Sequence, residues 1–308
     1  MIEVDRLTKR YGAFTAVDDI SFQVGKGEIV GFLGPNGAGK TTTMRVLTCF
    51  LPATEGTARI AGYDIFDNPL EVKRRIGYLP ELPPLYRDMH VRTYLEFIAK
   101  IKGVSPKESR QRIDEVVVQC GLADRTEQLI GHLSKGYRQR VGLAQAILHD
   151  PEVIIMDEPT SGLDPNQIIE VRQLIRELAQ ERTVILSTHI LPEVEMTCNR
   201  VIIIHEGKIV AVDTPENLTD SMRDTTRFFV RISGDIDIAA QAIATIEGVS
   251  DVTQTNNGLH VHWPAKADLS AAVSSRIVEL GMGLVEMRQE SMSLEEIFHA
   301  LTMHEEEV

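Results

Sequence analysis

The sequence predicts an α/β chain in two parts: a large unit on a mostly parallel sheet, then a small α+β unit. Three observations carry that prediction. The apolar run Ile29-Val30-Gly31-Phe32-Leu33 leads straight into a glycine-rich loop and then into Thr41–Leu47, which has helical character. A second continuous apolar run, Val153-Ile154-Ile155-Met156, ends in Asp157-Glu158. Short runs that are apolar throughout are the mark of parallel strands buried on both faces. Beyond residue 226 the segments read strand, helix, strand, strand, helix, strand, the order of a ferredoxin-like sandwich.

The elements follow in order along the chain. Ile2, Val4 and Leu7, then Ala16–Val24, alternate apolar with polar residues and predict antiparallel strands before residue 30. After the glycine-rich loop, the turn-rich Leu51–Thr57 precedes a strand at Ala58–Gly62. From Val91 to Leu148 the pattern is helical, with Tyr94, Leu95, Ile98 and Ile101 spaced for one face. A helix over Gln167–Arg182 and a strand over Thr183–Ser187 complete a βαβ unit after the second apolar run. Val201–His205 and Lys208–Ala211 form a hairpin around Glu206-Gly207. The predicted domains are 1–218, with a helical subdomain at about 91–148, then a polar linker at 219–226 and the small unit at 227–308. In the small unit, strands at Arg227–Ile232, Val249–Gln254, Leu259–Trp263 and Leu284–Gln289 alternate with helices at Ile238–Ile246 and Leu269–Leu280, and a helix at Leu294–Met303 closes the chain.

Length and composition agree with two packed domains: 308 residues, 43% hydrophobic and 25% charged. No apolar stretch approaches the roughly 20 residues that span a bilayer, and Met1–Asp5 lacks the basic-then-apolar pattern of a secretory signal. Cys49, Cys120 and Cys198 show no C-x-x-C spacing and read as ordinary reduced residues. A net charge of -13 argues against a surface that binds nucleic acid nonspecifically.

The chemistry begins at Gly34-Pro35-Asn36-Gly37-Ala38-Gly39-Lys40-Thr41, which matches the phosphate-loop pattern G-x-x-x-x-G-K-[ST]. Glycines let the backbone curl so that successive N–H groups face a polyphosphate, and the helix that follows adds the positive end of its dipole. Lys40 supplies a cation for the outer phosphates and Thr41 a hydroxyl for Mg2+. Asp157, at the carboxyl end of a buried strand, suits the hard-oxygen preference of Mg2+, and Glu158 can take or orient the proton of an attacking water. Ser134 reads as an N-cap before a helix over Tyr137–Leu148, and with Gly136 it offers a second anion site. His260 and His262 share one face of a strand, but no further ligand accompanies them, so they read as a solvated face.

Through about residues 1–218 the chain resembles the nucleotide-binding subunit of ABC transporters. Leu133-Ser134-Lys135-Gly136-Tyr137-Arg138-Gln139-Arg140 is similar to that family's signature, Ser161-Gly162-Leu163-Asp164 to its D-loop, and Ser187-Thr188-His189 to its switch-histidine segment. The resemblance implies an ABC-ATPase fold with a RecA-like core, an antiparallel β subdomain and a helical subdomain. It implies that ATP is held by Tyr11, as the base-stacking aromatic, and by the loop from Gly34 through Thr41 and Thr42. Glu158 and His189 would be catalytic, with His189 on the γ-phosphate. It also implies head-to-tail pairing with a second copy, in which Ser134, Lys135 and Gly136 reach the partner's ATP and Asp164 communicates across the dimer. Two residues depart from the pattern in the signature, Lys135 and Tyr137 standing where glycine and glutamine are common. Another departure is Glu81 where many members carry glutamine, which adds a carboxylate to the metal set of Thr41 and Asp157. With the small C-terminal unit and Ser293–Phe298, the whole resembles exporter-type members. Those are peripheral on the cytoplasmic face of the membrane and act on a separate polytopic permease, through a segment corresponding here to Leu82–Met89. A soluble ABC-type ATPase acting on DNA or ribosomes is the alternative. The chain lacks the coiled-coil insertions, zinc cysteines or tandem cassettes usual in those proteins.

Overall fold

The computed structural model describes residues 1–221, 225–255, 257–264, 267–290 and Phe298. The chain divides into two compact units, Met1–Thr214 and Pro215–Val308.

In the first unit, β1 (Ile2–Tyr11), β2 (Phe14–Val24), β4 (Glu55–Ile60) and β5 (Tyr63–Asp64) form an antiparallel sheet in the order β2-β1-β4-β5. The larger sheet holds β3 (Ile29–Leu33), β6 (Ile76–Leu79), β7 (Val153–Asp157), β8 (Thr183–Thr188), β9 (Arg200–His205) and β10 (Lys208–Asp213). Its order is β10-β9-β3-β8-β7-β6, parallel except for β10, which pairs antiparallel with β9 as the edge. Every residue of β3, β7 and β8 is buried, because helices cover both faces of these strands. Alternate residues serve two cores: Ile154, Met156, Val184 and Leu186 face one, and Val153, Ile155 and Ile185 face the other.

The helices are α1 (Lys40–Leu47), α2 (Pro69–Arg75), α3 (Val91–Ile101), α4 (Pro106–Gln119), α5 (Lys135–Ile147), α6 (Pro165–Ala179) and α7 (Leu191–Thr197). Helix α4 is N-capped by Ser105: its Oγ accepts the Glu108 N–H at 3.3 Å and donates to Glu108 Oε2 at 2.8 Å. Helices α3 to α5 bury Val91, Tyr94, Leu95, Ile113, Val116 and Ile147 in the first core. Ile101 departs from the expected face. It is 62% exposed, because the turn at Lys102-Gly103 ends α3 before that face is covered. Helices α2 and α7 were not anticipated. Each spans seven residues, too few for a helical period to stand out.

In the second unit, Pro215–Ser221 (α8) is helical and β11 starts at Thr225, so the expected linker at 219–226 holds the end of a helix and the start of a strand. Pro215 suits a helix start, and the polar residues after it hid the seven-residue helix. Strands β11 (Thr225–Ser233), β12 (Asp251–Thr255), β13 (Gly258–Pro264) and β14 (Gly283–Glu290) form an antiparallel sheet ordered β12-β13-β11-β14. With α9 (Ile236–Ala244) and α10 (Ser270–Glu279) this is the ferredoxin-like arrangement. Trp263 stacks on Phe228 with ring centroids 4.3 Å apart, over a core of Val230, Ile243, Leu259, Val261 and Ile277. His260 and His262 lie on the opposite side of β13 from that core and are half-buried, with His260 edge-on to Phe229, which corrects the expected solvated face. The closing helix expected at Leu294–Met303 lies, Phe298 apart, outside the described residues.

Candidate functional site

Strand order builds the site. Strand β8 lies between β3 and β7, with Leu33 opposite Thr188 and Asp157 opposite Ser187. The carboxyl ends of all three strands therefore meet at one edge, where open α/β sheets bind ligands. The loop leaving β3 wraps Lys40, whose Nζ donates to the carbonyls of Gly34 at 2.8 Å and Pro35 at 3.2 Å. Close approach fixes the glycines: a Cβ on Gly34 or Gly39 would run into the backbone carbonyl of Ile204 or Ala16, and Gly39 has φ +104°. Helix α1 then starts at Lys40 with no acid in its first turn, leaving its positive end uncompensated.

From β7, Asp157 accepts hydrogen bonds from Thr41 Oγ1 at 3.1 Å and Ser187 Oγ at 2.5 Å. Burial holds its carboxyl above the ordinary aspartate range; the two hydroxyls oppose that shift, and Glu158 and Glu81 reinforce it. Glu158 occupies a left-handed backbone position, φ 49°, rare for a residue with a Cβ. Its amide donates to Ser187 Oγ at 3.1 Å. That turn aims the carboxylate back at the loop, with Oε1 3.3 Å from Lys40 Nζ and Oε2 2.9 Å from His189 Nδ1. Tyr11, Asn36, Gly37, Gly39, Lys40, Thr41, Thr42, Glu81, Glu158 and His189 line one cleft of about 470 Å³, together with Phe14, Ala16 and Ser161.

A family description, "ABC transporter", matches residues 17–161. The chain is 46% identical over 212 residues to the bacitracin transport ATP-binding protein BcrA of Bacillus licheniformis, covering 68% of each chain. It is 33% identical over 312 residues to the linearmycin resistance ATP-binding protein LnrL of Bacillus subtilis (strain 168), covering 98% of each. The chain belongs to the ATP-binding proteins of ABC transporters. Among solved structures, the dimeric bacterial ABC transporter cassette MJ0796 superposes with a TM-score of 0.64 at 26% identity, over 70% of this chain and 98% of that one. The fold described above is thus that of an ABC ATPase.

Ser161 apart, the residues read in the sequence as signature and D-loop form a second group that does not line the cleft. Ser134 caps α5, accepting from the Tyr137 N–H at 3.3 Å. Asp164 caps α6, accepting from the N–H groups of Asn166 and Gln167 at 3.1 Å each. Gly136 packs on the Gln167 side chain, and the Lys135 ammonium lies where a Cβ on Gly162 would sit. The starts of α5 and α6 thus lean on each other within one chain. Pro35 and Ala38 shape the phosphate loop; Ala38 N donates to Pro35 O at 3.2 Å.

Sequence reasoning missed three site residues. Ser187 carries the shortest bond to Asp157, and its signal was its place beside Thr188-His189 on a strand that runs parallel to β7. Phe14 sits across the hairpin from Tyr11. Ser161 reaches Glu81 Oε1 at 3.4 Å. The cysteines are free, as expected, and burial pushes the thiols of Cys120 and Cys198 up to about 12. Among the described residues, no helix is long and apolar enough to cross a membrane.

Proposed function

We propose that this chain is the ATP-hydrolysing subunit of an exporter-type ABC transporter, working as a head-to-tail pair beneath a separate polytopic permease on the cytoplasmic face of the membrane. The observation that carries the proposal is the separation of two anion-binding groups. Lys40, Thr41, Glu158 and His189 line one cleft, with Asp157 bonded to Thr41 behind them, while Ser134, Lys135 and Gly136 lie outside it. One triphosphate then needs the signature of a second copy to close over it, with Asp164 at the seam. ATP binding favours the pair by mass action, and its loss releases it.

Within the cleft, Tyr11 stacks on the base, and the loop from Gly34 to Thr42 holds the phosphates. Glu158 accepts the proton of the attacking water, and His189, 2.9 Å away, orients that carboxylate. The donor set fits Mg2+: Thr41 hydroxyl and Asp157 carboxylate lie 3.1 Å apart, with Glu81 on the same cleft, and Mg2+ takes few carboxylates beside substrate phosphates. Bound there, it would neutralise charge on the phosphates. Export is supported by the bacitracin transport and linearmycin resistance relatives. A docking role for the segment after Glu81 is supported by its exposed apolar side chains: Leu82 is 75% exposed and Tyr86 57%, the latter edge-on to Tyr94 and Phe97.

Glu158→Gln tests the reading. It should retain ATP, lose turnover by at least about 100-fold, and accumulate as an ATP-bound dimer on size exclusion. A variant that stays monomeric with ATP, or a crosslink showing Lys40 and Ser134 of a single copy closing on one nucleotide, would overturn the shared-site arrangement.

A further inference from the structure

Glu193 is a buried acid to which the mechanism above assigns no part. It sits on α7, is 3% exposed, and does not line the cleft. An ionised carboxylate taken out of water persists only when paired and hydrogen-bonded. Its partners explain its place. Oε1 accepts a short hydrogen bond from Thr160 Oγ1, and Oε2 accepts one from Thr188 Oγ1 at 2.7 Å. Arg172, on α6, supplies the opposite charge 4.0 Å from Oε1.

The two threonines belong to the two turns that carry the chemistry. Thr160 lies two residues after Glu158, and its carbonyl accepts the Leu163 N–H at 3.1 Å in the turn that ends at the Asp164 cap. Thr188 immediately precedes His189, and its hydroxyl also accepts the Ile190 N–H at 3.0 Å, so it fixes the backbone on both sides of the imidazole. The Thr188 carbonyl takes the Gly34 N–H at 3.3 Å, where the phosphate loop begins. One carboxylate therefore bridges the end of β8 and the loop after β7.

We infer that Glu193 is a positioning residue that ties the turn from Glu158 to Asp164 to the turn bearing His189. The His189–Glu158 pair and the Asp164 end of that loop then hold one geometry, although Glu193 never meets the nucleotide. The inference rests on the roles proposed for Glu158 and His189. Without Glu193, two buried hydroxyls lose their acceptor and the turns keep only the bonds from Glu158 to Ser187 and His189, while Lys40 and the loop that binds ATP keep their own bonds.

Steady-state ATPase kinetics and nucleotide titration of the full chain test it, with Glu158→Gln as a control for the underlying reading. Glu193→Ala should lower kcat about tenfold or more, with KM and Kd for ATP within about twofold. Glu193→Gln, which keeps the shape and one acceptor, should recover to within about threefold of the parent. If Glu158→Gln still turns over, the reading of the site fails. If that control is inactive but Glu193→Ala keeps full kcat, loses affinity in proportion, or is matched by Glu193→Gln, the positioning role fails. Should Glu193→Ala not fold, Thr160→Val and Thr188→Val carry the test. A combined loss in kcat smaller than the product of the single losses supports a shared partner, and independent losses, or none, overturn it.

Discussion

Asp157 shows how a single residue trades stability for chemistry. Because burial raises its carboxyl from the ordinary 3.8, the folded chain holds that proton more tightly than the unfolded chain does. The stabilisation from the protonated form is complete below the ordinary value and is lost as pH rises through the raised one. At neutral pH the ionised Asp157 is thus a cost to the nucleotide-free fold. Asp157→Asn, which keeps an oxygen for Thr41 and Ser187, should raise the nucleotide-free melting temperature by about 2–4 °C for each kcal/mol relieved, and it should abolish Mg2+-dependent turnover. A fall in melting temperature would contradict the argument. Glu81 is tested in the same assay: if Glu81→Gln leaves Mg2+ dependence and turnover unchanged, Glu81 has no place in the metal set. Lys40→Ala removes the ammonium that three loop and carboxylate oxygens now hold. Charge-assisted hydrogen bonds are worth about 1.5–3 kcal/mol, so ATP affinity should weaken by roughly 10- to 100-fold by titration.

At the scale of elements, legibility followed burial and motif length. The strand before Gly34 and the strand before Asp157 were plain in the sequence because five consecutive buried residues in β3, and four ahead of Asp157 in β7, leave an unbroken run without charge. That β8 lies between them was not plain, since parallel neighbours are set by crossovers and not by local pattern. This is why Ser187 went unread as a ligand of Asp157. Helices α2 and α7 escaped for lack of length, and with α7 went Glu193, an acid whose burial only tertiary contacts disclose. The signature helix was legible at its cap. Ser134 satisfies an N–H at the start of α5, so Ser134→Ala should cost about 1 kcal/mol of stability. Under the shared-site proposal it should also abolish the ATP-dependent dimer of the Glu158→Gln chain while leaving ATP binding to the monomer intact. A dimer that persists would place the partner's phosphate contact elsewhere than at this helix end.

At the scale of the whole molecule, the two units have cores made of separate residues: those of Met1–Thr214 run through the parallel sheet, and that of the second unit centres on Trp263. The chain has one tryptophan, and it is 1% exposed. Its fluorescence therefore reports the second core alone, while most helical signal arises from the first unit, which also holds the whole nucleotide cleft. A ligand stabilises only the cooperative unit that binds it, by RT ln(1 + [L]/Kd), or about 2.7 kcal/mol at 100 times Kd. Saturating ATP should accordingly raise the melting transition seen by circular dichroism and leave the Trp263 fluorescence transition where it was. In the Lys40→Ala chain, both transitions should be indifferent to the same ATP concentration. Equal shifts of both signals in the parent would mean that the two units unfold as one.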